Sequence, residues 1–195
     1  PQYKYSCSVF LVYLGLKKKI NGLEHHNLFF SSDLRKNLYE IFNTSSSSDD
    51  PSFYVHVPTV TDDSLAPINK DILYLLIPVS NLEHTDNSIR GKEDSLLKYA
   101  LAKVSRACNE NIEDLIEVKH CFYPSDFIGR YNIEYGATFG LAHNLMQSAF
   151  LRPANCDSKL QDLFYVGAST QPGGGLPVVI AGSRIVSSLI CARAG

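Results

Sequence analysis

Apolar and polar positions along this chain fall into strand-like and helix-like rhythms, and each rhythm predicts its own element. Residues 6–16 (SCSVFLVYLGL) are rich in Val, Phe, Tyr and Leu up to Gly15, which predicts a buried strand. Leu28-Phe29-Phe30 predicts a second, short one. Asp33 then stands where an N-cap stands, ahead of Leu34, Leu38, Ile41 and Phe42 on one helical face. Residues 52–58 alternate Phe53, Val55 and Val57 against Tyr54, His56 and Pro58, the period of two of a strand. Residues 72–79 (ILYLLIPV) are apolar throughout and bounded by Asp71 and Ser80, which suits a central strand. The turn-rich connection through Asp62, Asp63, Pro67 and Asn69 makes these last two runs neighbouring antiparallel strands.

Residues 93–108 place Leu96, Leu97, Ala100, Leu101 and Val104 at helical spacing. Beyond them the rhythm weakens. Residues 112–122 are mixed, with Leu115, Ile116 and Val118 leading into another strand; residues 124–135 are irregular and aromatic; residues 138–150 suit a short helix or an ordered loop. The polar stretch 44–51 (TSSSSDDP) reads as a loop. Toward the end, residues 163–166 (LFYV) form a short apolar strand ending at Gly167, and a loop runs to Gly175. Pro177 then opens a helix through Ile190, its fixed φ and missing N–H fitting the first helical position. Val178, Val179, Ala181, Ile185, Val186 and Leu189 are its expected buried side.

With 195 residues, 45% hydrophobic and 19% charged, the chain suits one sizeable globular domain or two small ones. A net charge of −2 without a dense Lys/Arg block argues against a nucleic-acid binder, and Lys17-Lys18-Lys19 reads as a solvated turn. Five scattered cysteines without C-x-x-C spacing speak against a zinc site or disulfide framework and for a reducing, intracellular compartment. No apolar run approaches the roughly 20 residues that cross a bilayer. The chain begins without Met and stops inside an apolar helical pattern at residues 189–193, so a piece of a longer protein is expected.

Candidate chemistry concentrates in residues 163–189. Gly173-Gly174-Gly175 lets backbone approach a neighbour closely, because no Cβ intervenes. The loop presents N–H groups at the start of a helix, whose positive dipole end favours an electron-rich group. Two readings stay open: a cradle for a thin ligand, or a turn that only reverses the chain. The spacing is neither that of a Walker loop nor G-x-G-x-x-G. Elsewhere the residues argue for structure. His25 and His26, adjacent on a strand, point to opposite faces and make a poor chelate. His143 reads as a hydrogen-bonded structural histidine, Arg152-Pro153 as fixing the turn before the last strand, and Asp62-Asp63 lacks a partner at metal spacing. No metal site, covalent nucleophile or individual catalytic residue is identified.

Residues 164–177 (FYVGASTQPGGGLP) resemble the C-terminal flavin-binding signature of phytoene desaturases of the bacterial and fungal type. Residues 136–153 (GATFGLAHNLMQSAFLRP), SCSVFLVYLGL, His25-His26-Asn27, DPSFYVHVPTVTDDSLAP and ILYLLIPV resemble the same family in order and spacing. The resemblance implies an α/β flavoprotein of the glutathione-reductase-like type. An α+β substrate-binding region, residues 1–125, would join the C-terminal part of an FAD-binding domain, residues 126–195. It implies FAD held at Gly167, Ala168, Gly174, Gly175, Leu176, Pro177 and Val178. Many related flavoenzymes carry an acidic residue where Ala168-Ser169 stand, so backbone N–H groups make more of the contact. The implied activity is that of an oxidoreductase acting on CH–CH groups, introducing double bonds into phytoene in carotenoid biosynthesis by hydride transfer to flavin. Peripheral membrane contact follows from so apolar a substrate. Phe122, Tyr123, Phe127, Tyr131 and Tyr135 could face a developing cation, although core packing is the weightier reading for each. The competing expectations are a carotenoid isomerase, a desaturase of another carotene, or a non-catalytic lipid-binding module. The isolated chain is expected to be inactive, because the nucleotide end of FAD would rest outside it.

Overall fold

The computed structural model describes residues 3–44, 48–83, 91–160 and 162–194. They form two compact units, one of residues 8–136 and one of residues 3–7 with 137–194.

The first unit is built on one five-stranded sheet. Its strands are β1 (Ser8–Leu16), β2 (His26–Phe29), β3 (Phe53–His56), β4 (Asp71–Val79) and β5 (Ile116–Phe122). They lie in the order β2-β3-β4-β1-β5, and each adjacent pair is antiparallel. The β3–β4 pairing and the central place of β4 are as the period-two and continuous apolar runs predict. One face of the sheet carries Phe10, Val12, Leu14, Leu16, Phe53, Val55, Val57, Leu73, Leu75, Ile77 and Val79, all buried. Against it packs the helix α2 (Glu93–Cys108) through Leu96, Leu97, Ala100, Leu101 and Val104. Although β4 is apolar throughout, its burial alternates: Leu73, Leu75 and Ile77 lie in the core while Ile72, Tyr74 and Leu76 are only half-buried. An antiparallel sheet can keep one face open, and β4 belongs to such a sheet.

Helix α1 (Leu34–Asn43) begins where Asp33 predicts, the Asp33 carboxylate accepting from Lys36 N–H at 2.9 Å. Its packed side differs from the expected one. Ile41 and Asn37 are buried, Asn37 Oδ1 accepting from Ser52 N–H, whereas Leu34, Leu38 and Phe42 face outward. Within the polar loop of residues 44–51, residues 45–47 lie outside the described residues. Asp50 is its anchor: the carboxylate accepts from Ser32, Tyr99 and Lys103. The mixed stretch resolves into a short helix, α3 (Ile112–Leu115), leading directly into β5. Residues 124–135, expected to be irregular, contain the helix α4 (Pro124–Tyr131). Pro124 opens it, Asp126 accepts from Tyr123 N–H at 2.8 Å, and Asn132 closes it at φ 53°, so its stop and start signals are all present. Phe127 on this helix covers Val9 and Leu11 on the second face of the sheet.

The second unit has little regular structure before its last helix. Residues 138–151 are turns, with short 3-10 segments at Leu145–Gln147 and Ala149–Leu151. The strand expected at residues 163–166 is reduced to a single bridge, Phe164 with Cys156, because a strand exists only where a partner runs beside it. Helix α5 (Leu176–Ala194) is longer than expected. Its expected buried side is largely open: Val186 is buried, but Val178, Ile185 and Leu189 are exposed. Residues 176–193 have a mean hydropathy of 1.5, so by length and composition this helix could cross a membrane, which the sequence pattern had not suggested. Its apolar residues are interrupted by serines and Arg184.

Candidate functional site

The loop of residues 167–175 is held by two buried polar side chains, Arg152 and Asn155, that the sequence pattern does not single out as a pair. Arg152 is 2% exposed, yet among the described residues it forms no ion pair with a carboxylate. Its guanidinium donates to Ala168 O from Nε at 3.1 Å, to Gln147 O from Nη1 at 2.9 Å, and to Leu141 O from Nη2 at 3.0 Å. Burial lowers its affinity for the proton, but carbonyl oxygens meet its donors. Asn155 Nδ2 donates to Tyr165 O at 3.1 Å and Gln171 O at 2.8 Å, bracketing the loop from inside. Gln147 clasps Lys4, accepting from its N–H and donating to its carbonyl. Instead of the turn before residues 163–166, where it was expected to act, Arg152 holds the carbonyl of Ala168 beyond them.

The seven residues of the flavin signature differ in what each one meets. At Gly167 (φ 148°) a Cβ would meet no atom within 4 Å, and at Gly175 (φ 105°) only Val178 Cγ2 at 3.9 Å. Both glycines therefore leave open space beside backbone in a conformation that other residues resist. Gly174 differs. Its N–H donates to His143 Nε2 at 3.1 Å, and a Cβ there would lie 3.0 Å from His143 Cε1. His143 accepts through Nε2, which assigns its proton to Nδ1; burial and then the Arg152 charge hold it below the usual histidine range. Its role is the structural one expected. Leu176, Pro177 and Val178 form the first turn of α5, whose leading N–H groups have no intrahelical partner. Pro177 removes one of these donors and leaves those of Leu176 and Val178 at the positive end of a 19-residue helix. Ala168 contributes its carbonyl to Arg152. The glycine cradle and the helix start fit a thin, electron-rich group such as an isoalloxazine ring.

In the other unit, the second face of the sheet is aromatic from edge to edge. Tyr13 and Tyr74 stand with ring centroids 5.1 Å apart, Tyr54 lies 6.3 Å from Tyr74, and Phe122 lies 6.1 Å from Tyr13. Cross-strand register makes this row: Tyr13 pairs with both Tyr74 and His120. Burial, then repulsion from Tyr13 and Tyr54, pushes the Tyr74 phenol up to about 12, so Tyr74 stays uncharged near neutrality. Of the aromatics singled out in the sequence, Phe122 belongs to this face. Phe127 is buried beside it at 6.2 Å, and Tyr131 lies 6.3 Å from Phe127. Tyr123 instead stacks on Phe10 at 5.3 Å. Along the edge formed by β2 and β3, the same face carries His26, Tyr54 and His56. Burial, then the charges of His25 and His26, holds His56 below the ordinary histidine range.

The chain mixes helix and strand, with an aromatic sheet face and a glycine-cradled helix start, and its curated homologues are phytoene-type carotenoid desaturases. It is 39% identical over 185 residues to the zeta-carotene-forming phytoene desaturase of Myxococcus xanthus, covering 94% of this chain and 35% of that protein. It is 35% identical over 190 residues to the 4,4'-diapophytoene desaturase (4,4'-diaponeurosporene-forming) of Staphylococcus haemolyticus, covering 94% of this chain and 37% of the relative. The enzyme of the same name from Staphylococcus aureus strain Newman is 37% identical over 188 residues. The chain spans about a third of the length of these curated relatives. No family model matches it.

Proposed function

We propose that this chain is the substrate-sheet and flavin-loop portion of an FAD-dependent desaturase that introduces double bonds into phytoene. The observation that carries the proposal is the pair of glycines with open Cβ sides, Gly167 and Gly175, framing a loop that ends on the N-terminus of α5. It stands in a chain homologous to carotenoid desaturases over 94% of its length. In this reading the substrate region, expected over residues 1–125, corresponds to the unit of residues 8–136. The unit of residues 3–7 and 137–194 belongs to a glutathione-reductase-like FAD-binding domain.

FAD bound at the loop would supply a hydride acceptor for a hydrocarbon whose C–H bonds no carbonyl acidifies. The chain's own part is positional and electrostatic. Gly167 and Gly175 admit the ring system to backbone contact. Arg152 holds Ala168 and His143 holds Gly174, so the chain's own contacts shape the loop. The N–H groups of Leu176 and Val178, with the helix dipole, favour negative charge by roughly 0.3–2 kcal/mol. The face of Tyr13, Tyr54, Tyr74 and Phe122 gives a polyene apolar contact, and each aromatic face attracts a developing cation by about 0.5–2 kcal/mol. With Tyr74 neutral, the face offers these contacts without burying a charge.

Peripheral membrane contact within the cell follows from the proposed substrate, and the outward Leu28, Phe30, Leu34, Leu38 and Phe42 are the apolar side chains that suit it. The reading takes α5 as the helix that follows the flavin loop rather than as a membrane span. Arg184 stands near its middle, where an arginine costs roughly 2.5–3.5 kcal/mol in a bilayer. The isolated chain is then inactive and holds flavin weakly.

The test is product analysis. The protein made from its complete gene, given phytoene in liposomes with FAD, should yield carotenes with added double bonds. A product with rearranged but not additional double bonds would point to an isomerase, and liposome binding without reaction to a lipid-binding module.

A further inference from the structure

We propose that His25, His26 and His56 form a binding site for a zinc-class divalent ion at the edge of the sheet. A donor nitrogen of each of the three rings lies within 4.8 Å of the others. The fold makes this set in two ways. His26 on β2 pairs directly with His56 on β3, and both side chains rise from the same face. His25 precedes the first residue of β2, where the strict alternation of a strand is not imposed, and its carbonyl accepts from Val57 N–H at 3.0 Å. Its ring therefore meets both His26, at 4.3 Å between centroids, and His56, at 4.5 Å. The expectation that adjacent histidines diverge rested on alternation, and here it does not apply.

The outer contacts are those that metal-binding imidazoles use. Thr61 Oγ1 lies 2.5 Å from His25 Nδ1, and Tyr54 OH lies 2.6 Å from His26 Nδ1. With the Nδ1 of His25 and of His26 each engaged by a hydroxyl, the Nε2 of these two rings is the nitrogen left for an ion. His25 Nε2 and His56 Nε2 are 2.8 Å apart, close enough to share one proton. Tetrahedral zinc with Zn–N bonds of about 2.0–2.1 Å spaces its donors by about 3.3 Å, so His25 and His56 part by about half an ångström and His26, within 4.8 Å of them, closes by up to about 1.5 Å. Imidazole donors suit zinc, copper and nickel, whereas magnesium and calcium call for oxygen. His26 is exposed, which gives an entry path and leaves a fourth position to water. Bound there, the ion would cross-link the four-residue edge strand β2 to β3.

The site lies apart from the flavin reading and does not rest on it. The experiment is titration of chelator-treated protein with ZnCl2 against a chromogenic chelator, with visible Co2+ absorbance as the second readout. One ion per chain is expected, with a melting temperature that rises with zinc. His26→Gln and His56→Gln should each weaken binding by more than about 100-fold, and Tyr54→Phe, which removes only an outer contact, by about 10- to 100-fold. His26 is at the surface, so His26→Gln decides the matter if the His56 variant fails to fold. Wild-type protein that takes up no zinc, or a variant lacking all three imidazoles that binds zinc as tightly as wild type, would overturn the proposal.

Discussion

Replacing Arg152 by Met is the most searching perturbation of the loop's support. The side chain is 2% exposed, and Met nearly fills its volume, so the loss is polar rather than steric. Three carbonyl oxygens, those of Ala168, Gln147 and Leu141, lose their donor at once. A buried acceptor left unpaired costs about 1–3 kcal/mol. Against that sum stands the released cost of keeping a guanidinium out of water. Apolar replacement of a whole buried ion pair can stabilise a protein, but here the acceptors remain behind, so the penalty wins. A net loss of about 3–5 kcal/mol is the size seen when one partner of a buried charged contact is removed. For a chain of this size that lowers the melting temperature by roughly 6–20 °C, read by circular dichroism. Arg152→Lys should recover only part of it, because one ammonium cannot reproduce a planar fork aimed at separate carbonyls. A Met variant melting within about 2 °C of wild type would refute the reasoning.

Other expectations follow from single sites. Gly136 sits at φ 61°, and a Cβ there would lie 2.3 Å from Pro124 O, so Gly136→Ala should displace the start of α4 and lower the melting temperature sharply; an unchanged melt would contradict the packing. Contacts with Ser32, then Tyr99, hold the Asp50 carboxyl well below its ordinary range. Its folded pKa lies below the unfolded value of about 3.9, so its stabilisation is full above that value and is lost as pH falls. Wild type should thus lose more melting temperature than Asp50→Asn between about pH 6 and about pH 3, and equal losses would remove Asp50 as an anchor.

The strands and α2 were legible because one-sided burial leaves an alternation or a helical stripe. The open face of β4 was not, because Tyr74 and Leu76 look as apolar as the buried Leu73 and Leu75. Helix α4 carried its signals in Pro124, Asp126 and Asn132, which aromatic residues between them obscured. The glycine loop was legible as a motif, but the division of labour within it was not. That Gly174 is committed to His143 while Gly167 and Gly175 stay open depends on a contact across 31 residues. Arg152, Asn155 and the three-histidine edge likewise depend on long-range register, which local pattern does not carry.

Flavin retention by loop variants tests the central claim most directly. In the protein made from its complete gene, Gly175→Val adds a branched side chain where φ is 105° and the neighbouring space is open. Backbone strain of about 1–3 kcal/mol is expected in any case, so Gly91→Ala, at φ 93° with nothing near it, serves as the control for strain alone. The account predicts a folded Gly175→Val protein without visible flavin absorbance beside a yellow Gly91→Ala protein. Flavin bound to Gly175→Val in the same ratio as to wild type would contradict it.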